Sequence, residues 1–308
     1  MILAGLAALL LLLVGCQRKR EPIVTLAAVG DVLLARGVGR QIAKHGPDYP
    51  FAGTRETTSR ADIAFFNLEC PLSQRGVVRS RKYQFRADPS FAHAISRAGF
   101  DVASLANNHT LDYGRDALLD TMGAVENAGM TPVGAGASRN DAVRVRMVRK
   151  NGLRIGFLAY TDLPNCGVVR LPDRPTVAGV DTSTLPKEVR AAKRKCDVLV
   201  VSFHWGIEYM TKPTERQRML AHLAIDNGAD VVLGHHPHVL QSVEVYANKP
   251  ILYSTGAFVW DGKIFDADKS AIYLLELGKS SARLVKTVPI RIRNCRPAQE
   301  PAPVTHNP

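Results

Sequence analysis

The sequence predicts an α/β protein in which buried strands alternate with helices. Short apolar runs bounded by glycine or polar residues predict the strands, and longer amphipathic segments between them predict the helices. Acidic, amide or imidazole side chains follow several of the strands. Because ligands of open α/β folds bind at the carboxyl ends of the strands, this last observation also predicts where a functional site lies.

The elements follow one another in a regular order. Strands are predicted at residues 23–29, 63–67, 101–106, 142–150, 154–160, 198–203 and 231–233. Helices are predicted at residues 32–44, 90–98, 115–128, 187–195 and 214–227. Asn151-Gly152 predicts a hairpin between two of the strands. The strand-like residues 241–286 predict a second layer of sheet.

Both ends of the chain are expected to lie outside the folded domain. Residues 1–16 contain an apolar run that is too short to span a membrane and ends in Gly15-Cys16. This pattern resembles the lipobox of bacterial lipoproteins, although no Lys or Arg precedes Cys16. The resemblance implies that Cys16 is lipidated, that residues 17–22 form a tether, and that the protein faces the periplasm or the exterior of the cell envelope.

The folded domain is expected at residues 23–290. Residues 291–308 are rich in proline and poor in large apolar side chains, so we expect a disordered tail there.

Charge and cysteine content limit the classes of partner. The chain has 40 Lys and Arg against 28 Asp and Glu, a net charge of +12. Its basic clusters are explained either by a solvated surface or by attraction to anionic lipid or a polyanionic substrate. No basic stripe rich in aromatic residues is present to stack bases, which argues against nucleic acid. None of the 5 Cys lies in a Cys-x-x-Cys spacing, so no thiolate metal site is expected.

The side chains at the strand ends predict a metal site. The predicted ligands are carboxylate, amide and imidazole side chains, namely Asp31, Glu69, Asn108, His204, His236 and His238. His236 and His238 are two residues apart, so in an extended segment they point to the same side. This mixed set suits zinc, manganese or iron, and carboxylates can bridge two cations.

Each of these residues also has a simpler explanation when it is taken alone. Asp31 could cap a helix, Asn108 could occupy a turn, and His204 could satisfy a backbone carbonyl. Their recurrence at one strand end after another favours a shared site.

The motifs that contain these residues resemble one protein family. They are Gly30-Asp31, Asn67-Leu68-Glu69-Cys70-Pro71-Leu72, Asn107-Asn108-His109-Thr110-Leu111-Asp112, His204-Trp205-Gly206-Ile207-Glu208-Tyr209 and Gly234-His235-His236-Pro237-His238. Together they resemble the CapA family, which is linked to synthesis of poly-γ-glutamate capsules. That family in turn resembles the calcineurin-like metallophosphoesterases. The resemblance implies a four-layer αββα sandwich that carries a site for two divalent cations.

The resemblance also implies roles for individual residues. Asp31 would bind one cation, Glu69 would bridge both, Asn108 and His204 would bind the second, and His236 and His238 would contribute one imidazole to each. His109 would act as general acid, oriented by Asp112. Apart from the resemblance, the positive charge of Arg36, Arg81 and Lys82 could attract an anionic substrate, although plain surface charge explains these residues equally well. Asn67 and Glu208 are also predicted to contact the substrate.

The sequence departs from these families at three positions. Metallophosphoesterases carry Asp-x-His in the first motif, whereas Asp31 is followed by Val32 and Leu33. Their bridging ligand is usually Asp and here is Glu69. The CapA pattern ends near an Asn that Ala257 replaces here.

Two classes of function therefore follow from the sequence. The first is a membrane-anchored, metal-dependent hydrolase that cleaves a phosphoester or amide bond in an anionic envelope polymer or its phosphorylated precursor, together with polymer synthase subunits. The second is a non-catalytic factor that binds the polymer or assembles the synthase and keeps a vestigial metal site. A nucleotide or phospholipid phosphodiesterase is a third, weaker alternative.

Overall fold

A computed structural model describes residues 21–78, 83–165, 171–262, 264, 266–279 and 281–300. The helices are α1 (Arg36–His45), α2 (Arg55–Arg60), α3 (Phe91–Arg97), α4 (Arg115–Asn127), α5 (Arg139–Ala142), α6 (Leu185–Lys193) and α7 (Glu215–Asp226). The strands are β1 (Val24–Val32), β2 (Ile63–Leu68), β3 (Val102–Ser104), β4 (Thr131–Val133), β5 (Ala135–Gly136), β6 (Arg146–Lys150), β7 (Leu153–Thr161), β8 (Thr176–Val177), β9 (Val198–His204), β10 (Val231–His235), β11 (Val243–Tyr246), β12 (Lys249–Leu252), β13 (Ala257–Val259), β14 (Lys269–Leu277), β15 (Ala282–Arg293) and β16 (Arg296–Gln299).

Two mixed sheets form the centre of the molecule. The first has the order β16-β15-β14-β1-β2-β3-β4, and β13 also pairs with β1. In it β1, β2, β3 and β4 are parallel, whereas β14, β15 and β16 pair in antiparallel fashion. The second sheet has the order β11-β12-β10-β9-β7-β6, with β7, β9, β10 and β12 parallel. Parallel strands bring their carboxyl ends to one edge of each sheet.

The alternation of side chains along the strands produces the layers. In β1, Leu26 and Ala28 face the second sheet and lie in a core with Phe157 and Val200. Ala27 and Val29 face the other way and pack with apolar residues of α1, α3 and α4. On the far side, α6 and α7 cover the second sheet. The order helix–sheet–sheet–helix confirms the predicted four-layer αββα sandwich.

Three expectations about the elements need correction. The helix expected from residue 32 begins at Arg36, because β1 continues to Val32 and the chain to Leu34 is buried. The late strands do not form one layer, since β11 and β12 join the second sheet and β13 to β16 join the first. The tail expected to be disordered from residue 291 contains the end of β15 and all of β16, which pair in register from Ile290↔Gln299 to Arg293↔Arg296.

Other expectations concern the ends of the chain. Residues 1–20, with Cys16, and residues 301–308 lie outside the described residues. Within the ranges described, no helix has both the length and the hydropathy to cross a membrane.

No disulfide joins the cysteines that the structure describes, which are Cys70, Cys196 and Cys295.

Candidate metal centre

The predicted ligands meet where the carboxyl edges of the two sheets approach each other. Asp31 pairs in register with Asn67 on β2, and His235 pairs with His204 on β9. Gly30 allows this approach, because a Cβ atom there would lie 1.9 Å from the carbonyl oxygen of Gly256. The site therefore depends on close backbone contact between β1 and the segment that leads into β13.

Asp31 is fully buried and makes several polar contacts. Its Oδ2 atom accepts a hydrogen bond from Nδ1 of His238 at 2.9 Å, and its Oδ1 atom accepts one from Nδ2 of Asn67 at 2.8 Å. Burial alone would raise the pKa of Asp31, but the imidazoles of His235 and His238 outweigh it and hold that pKa well below its usual value. Asp31 is therefore an anion in the folded protein.

Glu69 is fully buried, yet neither carboxylate oxygen has a hydrogen-bond partner among the described residues. Its Oε1 atom lies 3.6 Å from Nε2 of His204 and 3.7 Å from Nε2 of His238, too far for good hydrogen bonds. Burial raises the pKa of Glu69 well above its usual value, and the charges of Asp31, Glu208 and Asp112 raise it further. A buried carboxyl group without partners is costly unless a cation completes its surroundings.

Two of the imidazoles, those of His204 and His236, are held in the neutral form that metal ions require. Burial lowers the pKa of His204 well below its usual value, and the charge of His236 lowers it further. Burial and His238 lower the pKa of His236 to about 3. Nδ1 of His236 has no hydrogen-bond partner within the described part of the chain. His236 and His238 occupy the loop after β10 with φ angles of 97° and 58°, uncommon values for non-glycine residues.

The donor atoms group into overlapping sets of three. The sets, each with ligand atoms within 4.8 Å of one another, are Glu69/His204/His236, Asp31/Glu69/His238 and Glu208/His236/His238. Glu69 belongs to the two fully buried sets and lies between them. Asn108 adds an amide oxygen 2.9 Å from Nε2 of His204. Both oxygens of Glu69 and Nδ1 of His236 have no hydrogen-bond partner among the described residues. This mixture of oxygen and nitrogen donors fits a divalent cation, and we describe the cluster as a candidate metal site.

His109 and Asp112 form a dyad beside the cluster. Nδ1 of His109 lies 3.0 Å from Oδ2 of Asp112, which also accepts the backbone N–H of Phe85. The Phe85 ring packs against the His109 ring with centroids 4.3 Å apart. Asn107 orders the same turn, since its Oδ1 atom accepts the backbone N–H groups of His109 and Thr110. The imidazole is thus oriented through Nδ1, which leaves Nε2 for other partners.

Two further polar residues, Asn67 and His235, are buried and contact the candidate ligands. Asn67 was predicted to contact substrate, but it is fully buried and its amide contacts Asp31, His204 and Asn107. It therefore positions ligands. His235 is also fully buried; its Nδ1 atom lies 3.6 Å from Oδ1 of Asp31 and 3.2 Å from Oγ1 of Thr255.

The rim of the site combines exposed residues, Arg36 and Glu208, with the buried side chain of Trp260. Nη2 of Arg36 lies 3.0 Å from Oδ1 of Asp261, and its guanidinium lies over the rings of Phe85 and Trp260. Trp260 stacks on His238 with centroids 4.2 Å apart. Glu208, which was predicted to contact substrate, is exposed and also belongs to a donor set with His236 and His238. Arg81 and Lys82, also predicted to attract substrate, lie outside the described residues.

The structure also shows where the residues that depart from the family patterns lie. Leu33, at the position where metallophosphoesterases carry a histidine, is fully buried in the core beneath the helices. Ala257 lies beside Asp31 in the register between β1 and β13, and its N–H donates to the carbonyl oxygen of His238 at 3.2 Å. Neither side chain contributes a ligand. The sequence did not indicate Trp260 or Asp261, because no motif connects them with the strand ends.

The αββα fold and a buried carboxylate–imidazole cluster at the strand ends define a metallophosphoesterase-like protein. The profile of the family described as bacterial capsule synthesis protein PGA_cap matches residues 25–262, most of the chain. The chain belongs to this family, which confirms the resemblance to CapA proteins.

Individual relatives support the same assignment. The chain is 33% identical over 301 residues to the capsule biosynthesis protein CapA of Bacillus anthracis, covering 94% of this chain and 71% of that protein. It is 31% identical over 281 residues to the PGA biosynthesis protein CapA of Bacillus subtilis (strain 168), covering 90% and 74%. Among solved structures, a hypothetical protein from Thermus thermophilus superposes with a TM-score of 0.51 at 18% identity, covering 90% of this chain and 100% of that one, which supports the fold.

Proposed function

We propose that this protein is a metal-dependent hydrolase that acts on an anionic capsule polymer of the polyglutamate type, or on a precursor of it. The observation that carries the proposal is Glu69, a buried carboxyl group with two unpartnered oxygens, shared between two sets of donors. The names of the relatives, capsule biosynthesis and PGA biosynthesis proteins, support the polymer class.

The donor sets suggest how two divalent cations would be held. Asp31, Glu69 and His238 would hold one cation, and Glu69, His204 and His236 would hold the other. Mixed oxygen and imidazole donors suit manganese, zinc or iron. Bound cations of this kind lower the pKa of water and polarise the bond that is cleaved.

The His109–Asp112 dyad would transfer the proton. With Nδ1 engaged by Asp112, Nε2 of His109 is the ring nitrogen that can donate to the leaving group or accept from water. Asp112 is fully buried, so it fixes the tautomer of the ring without competition from solvent.

We also propose that the protein works at the cell envelope, anchored through Cys16, in association with subunits of a polymer synthase. The lipobox-like pattern at Gly15-Cys16 supports the anchor. The names of the relatives make a synthase a reasonable partner.

Two observations favour a second function, a non-catalytic factor for polymer binding or synthase assembly. Leu33 lies in the apolar core where a metallophosphoesterase has a ligand, and Ala257 offers no amide beside Asp31. A site that lacks both groups can hold cations for structure alone.

Metal content and hydrolysis together test the proposal. Protein expressed from Glu21 onward would be analysed for bound transition metal and assayed on γ-linked polyglutamate, simple phosphomonoesters and phosphodiesters. The diagnostic variant is His109→Asn. The matched control is His93→Asn, which changes an exposed histidine on α3.

The hydrolase predicts about two equivalents of metal in all three proteins and a loss of about 10²–10⁴ in rate for His109→Asn alone. Metal in every protein without hydrolysis of any substrate would favour the assembly factor. Protein that binds no metal after reconstitution would refute both cation sites.

A further inference from the structure

We propose that Arg36 and Tyr209 form a carboxylate-recognition subsite at the mouth of the metal cluster, which contacts the free carboxylates of a polyglutamate chain. The inference rests on the proposed function, which supplies the anionic substrate. It gives Tyr209 a role in binding the substrate, which the sequence motifs did not predict. It also gives Arg36 a specific contact with the substrate, whereas other basic surface residues would attract the substrate only through their charge.

Arg36 is held across the site by two aromatic rings. Its guanidinium carbon lies 5.4 Å from the centroid of Phe85 and 6.0 Å from that of Trp260. Phe85 packs on His109, and Trp260 stacks on His238. Arg36 therefore lies between the proton-transfer side of the site and the metal-ligand side.

The guanidinium remains available to a ligand. Its side chain is 40% exposed, and Asp261 engages it through one oxygen at 3.0 Å. A guanidinium has five N–H donors in a planar fork, so one carboxylate partner fixes its orientation and leaves donors for a second. Asp261 is itself held by the backbone N–H of Gly37 at 2.7 Å.

Tyr209 supplies a neutral donor on the same rim. Its ring centroid lies 6.0 Å from that of His238, and its backbone N–H donates to the carbonyl oxygen of Pro237 at 2.8 Å. The side chain is partly exposed. Its ring lies near His238, which stacks on Trp260, the same ring that lies beneath the Arg36 guanidinium. The hydroxyl group has no hydrogen-bond partner within the described ranges, which leaves it free to donate to a ligand.

Both residues have unusual backbone conformations. The φ angles are 55° at Arg36 and 63° at Tyr209, in the left-handed region that bulky side chains rarely occupy. Such conformations are retained where the surrounding structure over-determines them, often at ligand-binding positions. A charged donor and a neutral donor at one rim suit a carboxylate, which accepts both kinds of hydrogen bond.

Binding measurements test the subsite without any need for turnover. Metal-loaded protein carrying His109→Asn would be titrated with a γ-linked glutamate oligomer and with the matching oligomer whose α-carboxylates are carboxamides. Arg36→Ala, Arg36→Lys and Tyr209→Phe would be added to this background. The control is Arg40→Ala, which removes the same charge one turn along α1, where Arg40 lines a neighbouring cavity.

The subsite predicts that Arg36→Ala weakens binding of the acidic oligomer by about tenfold or more, because a charge-assisted hydrogen bond is lost. Binding of the amide oligomer should not change. Arg36→Lys should restore part of the loss, Tyr209→Phe should weaken the acidic oligomer less than Arg36→Ala, and Arg40→Ala should change it by about twofold or less.

If Arg36→Ala and Arg40→Ala weaken binding of the acidic oligomer equally, unspecific charge attraction explains the binding and the subsite is refuted. The same holds if Arg36→Ala weakens binding of the acidic and the amide oligomer equally. Failure of unsubstituted protein to prefer the acidic oligomer would also overturn it. If binding depends on Arg36 but no substrate is hydrolysed, the subsite stands and the hydrolase does not.

Discussion

At the scale of single residues, burial has opposite effects on the acids and bases of the candidate metal centre. It raises the pKa of Glu69 and so favours the protonated form of this carboxyl group in the metal-free protein. It lowers the pKa of His204 and His236, so these imidazoles are already deprotonated near neutral pH. Of these three groups, Glu69 is therefore the one expected to release a proton when a cation binds.

We expect metal binding to release a proton and to become tighter as pH rises. The sign follows from the raised pKa of Glu69, because the cation must displace a proton that a higher pH removes. Calorimetric titration of the metal-free protein with Zn²⁺ in buffers of different ionisation enthalpy measures the number released.

Glu69→Gln is the variant for this measurement, since it keeps the shape of the side chain and removes the titrating group. It should bind metal more weakly and release close to no proton. An unchanged release in Glu69→Gln would show that another group carries the proton.

A second prediction at this scale concerns Asp112. Asp112→Asn should lower the hydrolytic rate about 10²-fold without loss of metal, because it no longer fixes the tautomer of His109. Metal content and kcat would be measured beside Asp116→Asn, which changes an exposed carboxylate on α4. Loss of metal in Asp112→Asn would instead show that Asp112 contributes to metal binding.

At the scale of the elements, close contact between β1 and the segment before β13 positions Asp31. Gly30→Ala should destabilise the protein by about 1–3 kcal/mol, because the added Cβ would overlap the carbonyl oxygen of Gly256. It should also reduce metal binding, since Asp31 must shift. Urea denaturation and metal analysis measure the two effects.

Gly123→Ala is the matched control. Gly123 lies inside α4, and a Cβ atom there meets nothing within 4 Å. Alanine should raise the free energy of unfolding by about 0.5–1 kcal/mol, because it favours the helix. Similar effects of the two substitutions would show that the contact at Gly30 relaxes without cost.

The elements also show where local sequence patterns lose their predictive power. The helix over residues 115–128 was predicted well, because its pattern depends on its own residues. The strand β4 was not predicted, since its three residues become a strand only by pairing with β3. The strand β16 was missed because the prolines of the C-terminal tail suggested disorder, whereas Pro297 is buried in a strand paired with β15.

At the scale of the whole molecule, the core between the sheets supports the site directly. Phe65 is fully buried there and stacks on Phe157 and His235 with centroids 5.9 Å apart in each case. Phe65→Ala should lower the free energy of unfolding by about 3–5 kcal/mol through the cavity it leaves. It should also weaken metal binding, because His235 loses its support behind Asp31.

Denaturation of the metal-free protein and a separate metal titration measure these effects. Val245→Ala, at a side chain 71% exposed on β11, should leave both nearly unchanged. If Phe65→Ala greatly lowers the free energy of unfolding but leaves the metal affinity unchanged, the metal site does not depend on this core.

The strand-end pattern predicted which residues form the candidate site, and the structure brings Asp31, Glu69, His204, His236 and His238 together. The sequence could not predict how the two sheets face each other, because that depends on the packing of separate apolar faces. The contributions of Trp260 and Asp261 became visible only in three dimensions, since they reach the site through the pairing of β13 with β1.

This pairing has a consequence for the order of events during folding. Every candidate ligand precedes residue 239 in the chain, whereas Ala257, Trp260 and Asp261, which contact the site from β13 and the residues after it, follow later. An ion captured by a growing chain would therefore be held loosely and would exchange. Tight retention should begin only when β13 has docked, so the compartment where folding finishes would determine which ion is kept.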